Sequence, residues 1–225
     1  MKVGNGRIIL FFPAFVYDLV QWVFFPLNYL IGLFCHLQPR RSVWNEKDFE
    51  SRKVAGSGRP LAEIRREILE GRNVAHQEED LVLLYDSLPT VSAFDDMIGH
   101  TWKGRILRTK ASVLDVAEWI LARPLNLLGF KWGKRFRTMD TGDPLVLRWL
   151  DRFYFPLPVW GNVCMIDVTW RGVTTATMIY DRQPWKDYFR LLSREDGKVV
   201  VLGVWTHKHI AGGWFTLTLD AEAVT

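Results

Sequence analysis

The chain has 225 residues, 48% of them hydrophobic and 24% charged, with 14% aromatics, eleven tryptophans and a formal charge of +4. That balance excludes a disordered polymer and gives enough length to bury one sizeable core. So mild a positive excess, with no RNA- or DNA-binding motif, argues against nucleic acid as a partner and fits an anionic membrane surface.

The first 41 residues read as a hydrophobic, membrane-associating segment. From Ile8 to Leu37 the sole formal charge is Asp18; Lys2 and Arg7 precede the run, and Arg40 and Arg41 follow it. A spanning helix needs roughly 20 apolar residues, and Pro13, Pro26 and Gly32 interrupt this one. Tyr17, Trp22 and Tyr29 suit the headgroup region. A single-pass anchor, a segment lying in the membrane and a helical arm packed on the chain's own domain all stay open. A cleaved signal peptide fits least, because the run is too long and no small-residue cleavage site follows. Basic residues on both flanks leave its orientation undecided.

Residues 42–60 form a linker, polar and glycine-containing from Ser51 to Pro60. Beyond it, residues 61–225 are expected to form one globular domain. Leu61, Ile64, Ile68 and Leu69 recur at helical spacing, and Gly71 stops that helix. Glu78 to Ser87 predicts a second, with Leu81, Leu84 and Tyr85 inward. Ser92, with Asp95 three residues later, predicts a capping box. Ser112 to Leu121 is a further helical candidate.

Then the period changes. Val163 to Trp170 alternates, Arg171-Gly172 suits a tight hairpin turn, and Val173 to Tyr180 returns as its partner. Lys198 to His207 and Trp214 to Leu219 read as further strands, joined through Glu195-Asp196-Gly197 and Ala211-Gly212-Gly213. Shorter strand candidates surround Trp102 to Leu107 and Leu145 to Trp149. The fold expected is mainly β with flanking helices: an antiparallel meander closed into a β-barrel, which removes exposed edges and can hold one small ligand.

Two segments carry a resemblance. LYDSLPTVSAFDDMIGHTWKGRIL, Leu84 to Leu107, resembles the opening of the GXWXG domain family, with Trp102 and Gly104 in register and His100 where that pattern has glycine. WRGVTTATMIYDRQPWKDYFR, Trp170 to Arg190, followed by VLGVWTHK, resembles the companion domain of unknown function that usually follows it. That companion usually reads LG-x-M-D where this chain has Leu202-Gly203-Val204-Trp205-Thr206. The resemblance implies a lipocalin-like barrel of the kind that encloses lipids, and it brings no assigned activity.

Chemistry concentrates around TTATMIYDRQPWKDYF. Asp181, Arg182, Asp187 and Arg190 either form a salt-bridged corner at the barrel mouth, Asp187 and Arg190 pairing if the segment is helical, or present an Arg fork to a ligand's polar head. In the second reading Trp102, His100, Trp170, Tyr180, Trp185 and Phe189 contact the ligand body. Asp181 and Asp187 are the candidate catalytic acid/base residues. His207 and His209 lack a third ligand at metal spacing, so no metal is expected; no cofactor motif is present either, nor G-x-S-x-G, H-E-x-x-H or P-loop lysine. Cys35 and Cys164 form neither a CxxC pair nor a disulfide framework and fit a reducing, cytoplasmic compartment. The expected function is a membrane-associated barrel binding a lipid or other small hydrophobic molecule. The alternatives are an isomerase, cyclase or hydrolase acting on a lipid- or terpenoid-like substrate, and a tethered interaction protein with a filled barrel. The expected partners are membrane lipids and that ligand; the sequence carries no signal of oligomeric state.

Overall fold

A computed structural model describes residues 2–3, 7–9, 56–109, 126–150, 153–157, 160–195, 197–207 and 210–220. Expectations for most of the apolar run, for Cys35, for the 112–121 helix and for His209 lie outside these residues. The described chain is mainly β. Its strands are β1 (Lys2–Val3), β2 (Arg7–Ile9), β3 (Thr101–Leu107), β4 (Phe130–Phe136), β5 (Gly142–Trp149), β6 (Phe153–Leu157), β7 (Val163–Trp170), β8 (Val173–Tyr180), β9 (Trp185–Glu195), β10 (Lys198–His207) and β11 (Ile210–Asp220). β3 to β11 form a nine-strand antiparallel sheet in the order β6-β5-β4-β3-β11-β10-β9-β8-β7, and β2 adds in parallel to β6. The apolar run therefore begins as strand at Ile8 and Ile9.

Among the described residues no ladder closes the sheet, yet its topology forces it to curl. β6 and β7 stand at opposite ends of the nine strands, while only five residues separate Leu157 from Val163. Such a connection reaches at most about 22 Å, whereas nine strands laid flat would put the ends about 38 Å apart. The β4–β5 turn accordingly meets β7: Met165 N–H donates to Met139 O at 2.7 Å, and Asn162 bridges Gly142 N–H and Asp140 O with its side chain.

The period-2 alternation sorts side chains into two cores. The inner one gathers Trp102, Phe136, Val163, Met165, Met178, Trp185, Phe189 and Phe215 within the curl. The outer one lies under helices α1 (Leu61–Leu69) and α2 (Glu78–Ser87), where Ile64, Ile68, Leu81, Leu84 and Tyr85 cover Tyr188, Leu192, Leu202 and Trp214. Ser57 fastens the end of the linker to α2 through the Asp80 carboxylate, its N–H and its hydroxyl each donating at 2.7 Å.

After α2 the chain passes from outer to inner core through a split in the sheet. β8 and β9 pair only at Thr177–Tyr188, Met178–Asp187 and Ile179–Lys186. Beyond that, Val91 O accepts from Ala176 N–H at 2.7 Å and Pro89 O from Leu191 N–H at 2.9 Å, so residues 89–91 wedge between the two strands. A single π-helical turn, Ala93–Met97, follows. The capping box forms with one substitution of partner: Ser92 Oγ accepts from Asp95 N–H, while Asp96, not Asp95, accepts from Ser92 N–H. Met97 O then receives the buried Trp102 indole N–H at 3.2 Å.

Three local readings change. Trp185–Glu195 is a central strand, hydrogen-bonded to both neighbours, not the helix that an Asp187–Arg190 pairing needs. Ala211-Gly212-Gly213 is no turn: it lies within β11, where Gly212 is the extra residue of a bulge between the Trp205–Gly213 and Thr206–Ala211 pairs. β4 and β6 are strands that the sequence reading did not single out. The β7–β8 turn, by contrast, stands as read: Arg171 and Gly172 have φ of 54° and 72°, the mirror-image turn that suits strand twist.

Candidate functional site

β9 projects Trp185, Asp187 and Phe189 inward. Asp187, 1% exposed, lies between its cross-strand partners Met178 and Trp205. Facing it is Lys134 of β4. Three strands separate β4 from β9 in the sheet, so a contact between them crosses the bore. Lys134 Nζ lies 3.0 Å from Asp187 Oδ2, 3.0 Å from the Tyr180 hydroxyl and 3.1 Å from Pro144 O. The Tyr180 hydroxyl donates to Asp187 Oδ2 at 3.2 Å. All three ammonium hydrogens are thereby used, and Asp187 Oδ1 is left buried with no hydrogen-bond partner among the described residues.

Aromatic rings enclose this trio. Toward one end, Trp185 meets Trp160, Tyr180 and Trp205 edge to face at centroid distances of 5.5, 5.5 and 5.1 Å. Toward the other, Phe189 contacts Phe136 and Phe215 at 6.2 and 6.0 Å. Lys134 also stands 5.4 Å from the Tyr180 ring centre and 5.5 Å from that of Phe215. Burial pushes the Asp187 carboxyl above its ordinary range, against the pull of Lys134 and the Tyr180 hydroxyl. Burial, reinforced by the Asp187 charge, holds the Tyr180 phenol well above its usual value, so it stays protonated as a donor. Arg148 of β5 is a second buried cation, 2% exposed.

Of the residues singled out from sequence, Trp102, Tyr180, Trp185, Asp187 and Phe189 converge in the inner core. His100 stands half-buried at its margin, its ring 6.4 Å from Trp102, with burial lowering its pKa. The rest lie elsewhere. Asp181 and Arg182 are exposed on the β8–β9 turn. Arg190 is an odd number of positions from Asp187, so the strand turns it to the outer face, over the Tyr85 ring at 5.3 Å. Trp170 is on that face too, stacked on Tyr188 at 4.1 Å. The i,i+3 pairing of Asp187 with Arg190 is therefore absent. Lys134 was missed; the signal was the inward alternation Trp132, Lys134, Phe136 along one short stretch. Among the described residues no cluster of His, Cys, Asp and Glu is arranged to hold a metal, and no helix is long and apolar enough to cross a membrane.

Residues 162–219, β7 to β11 nearly whole, match a domain of unknown function, DUF4334. That match contains Tyr180, Trp185, Asp187 and Phe189 and excludes Lys134 and Trp102. A crystal structure of a protein from Thermomonospora curvata is similar at 27% identity, covering 71% of this chain and 97% of its own, with a TM-score of 0.54. No curated protein matches the chain.

Proposed function

We propose that the curled sheet binds a small, largely apolar molecule within its inner core, as a membrane-associated barrel. The observation that carries this reading is the Lys134–Asp187–Tyr180 cluster, buried among aromatic rings with one carboxylate oxygen unmatched. An ion pair sunk into an apolar core costs desolvation that a purely structural core avoids, and convergent polar groups on an aromatic wall are the usual make-up of a ligand site. Membrane association rests on the apolar run at residues 8–37, and a reducing compartment on the lack of a disulfide framework. We place residues 84–107 with the GXWXG domain on their lead-in turn, Trp102 and Gly104.

The test is to purify the full chain, extract it with organic solvent and identify co-purifying molecules by mass spectrometry. A stoichiometric lipid or isoprenoid is expected. A folded chain that carries nothing, and takes up no apolar probe when challenged, overturns the reading.

One observation favours a second, catalytic use of the same site. Asp187, raised in pKa and next to a protonated phenol, has the make-up of an acid/base pair. Of the two candidate acid/base residues, Asp187 then carries the role, since Asp181 is exposed on the turn. A pH–rate profile abolished in Asp187→Asn but kept in Asp181→Asn is the expected signature.

A further inference from the structure

Given binding in the inner core, the hydrogen-bond inventory of the cluster narrows the ligand's chemistry, and we infer that the polar end of the molecule is a neutral hydrogen-bond donor, a hydroxyl group. Lys134 has no hydrogen left to give, its three being directed at Pro144 O, the Tyr180 hydroxyl and Asp187 Oδ2. The Tyr180 hydroxyl proton is directed at Asp187 Oδ2 as well. What remains is Oδ1, an acceptor, fully buried and unmatched. A buried acceptor left unsatisfied carries the full desolvation penalty, and a donor brought by the ligand removes it.

Charge narrows the class further. Lys134 and Asp187 neutralise each other at 3.0 Å. A ligand carboxylate would face Oδ1 with its own negative oxygen and find the ammonium occupied. An ammonium ligand would add an unbalanced charge to the aromatic enclosure. An aldehyde or ketone offers an acceptor to an acceptor. A hydrophobic alcohol supplies the missing hydrogen at no change in net charge. Its apolar body meets the rings of Trp160, Trp185 and Trp205, which pack edge to face in a chain that also meets Tyr180 and ends at Trp205, the cross-strand partner of Asp187.

The experiment titrates the full chain with four probes on two skeletons, a linear C12 and a branched C15: the alcohol, aldehyde, carboxylate and hydrocarbon of each. Quenching of tryptophan fluorescence is the readout. The Lys134→Met/Asp187→Leu chain serves as a control for partitioning, since it removes the polar cluster without leaving a lone charge. On at least one skeleton the alcohol is expected to bind about ten- to a hundredfold more tightly than the aldehyde, the effect of satisfying one buried acceptor. In the double variant the four probes should converge. If all four bind the native chain equally, the barrel still holds a ligand but the donor rule is wrong. If the carboxylate binds best, Lys134 or Arg148 meets the head group and the inference is overturned. If no probe binds, the binding reading falls and takes this inference with it.

Discussion

The two faces of β9 bury charge in opposite ways. Inside the curl, Asp187 and Lys134 meet as an ion pair with directed hydrogen bonds, and Tyr180 completes a closed set of donors. Under the helices, three residues along the same strand, Arg190 lies 2% exposed over the face of Tyr85, and its Nε has no hydrogen-bond partner among the described residues. The first is specific polar chemistry set across a bore; the second is a long side chain used largely as packing, with a π face in place of a carboxylate. The difference teaches what each face tolerates. A cation over a ring tolerates shape change, whereas a buried ion pair between strands that are not neighbours sets the distance between the two walls it joins across the bore.

Breaking the inner pair should have the largest effect. Lys134→Ala leaves Asp187 buried without its cation, and a half-removed buried pair costs about 3–5 kcal/mol. Urea unfolding should show that loss. The Lys134→Met/Asp187→Leu chain removes both charges and should lie within about 2 kcal/mol of the native chain. A single variant as stable as the native chain would mean that the pair does not join the two walls.

Next in size is a test of how tightly the inner face is packed. A Cβ on Gly104 would stand 2.3 Å from the Trp132 ring, which lies across this glycine. Gly104→Ala must therefore displace a tryptophan whose ring also meets Phe215 at 5.9 Å, and overpacking of this kind costs about 1–3 kcal/mol. A blunted near-ultraviolet dichroism signal should accompany the lower unfolding midpoint.

The outer face should forgive more. Arg190→Met keeps the apolar stem and removes the cation over Tyr85, for an expected loss of about 1 kcal/mol. If it costs as much as Lys134→Ala, the contrast between the two faces fails.

Much of this arrangement was legible in sequence where it is local. Glu78–Ser87, the Arg171-Gly172 turn and the Ser92 cap depend on neighbours a few residues away, and each stands as read apart from the Asp96 partner. Tyr180, Trp185, Asp187 and Phe189 could be grouped because they are close in the chain. What escaped is either a matter of parity or of distance. Reading residues 185–190 as a helical corner sets Asp187 and Arg190 on one side; reading them as strand sets them on two, and only the ladders to β8 and β10 decide that. Lys134 escaped for a different reason. It lies 53 residues before Asp187, and their meeting depends on the closure of the whole sheet, which no local pattern encodes.

Protons offer the finest separation of the two regions, because burial raises the pKa of the inner acid Asp187 and lowers that of the outer base His76. Asp187 has its pKa raised, so its contribution to stability is present at low pH and is lost as pH rises through the folded value. His76, 2% exposed in the helix-covered layer, has its pKa lowered from 6.5, burial leading and Glu67, Asp80, Arg59 and Arg105 adding smaller pulls of both signs. The unfolded chain therefore takes up this proton first as pH falls. Stability should drop from about pH 6.5 downward until the folded imidazole also titrates, with a slope of at most about 1.4 kcal/mol per pH unit for one proton. His76→Leu removes that component and leaves the Asp187 component in place. Unfolding free energies measured from pH 7 to pH 5 should then decline less steeply in His76→Leu than in the native chain. Parallel curves would mean that the imidazole binds its proton equally well in both states, and that burial in the outer layer does not govern its charge.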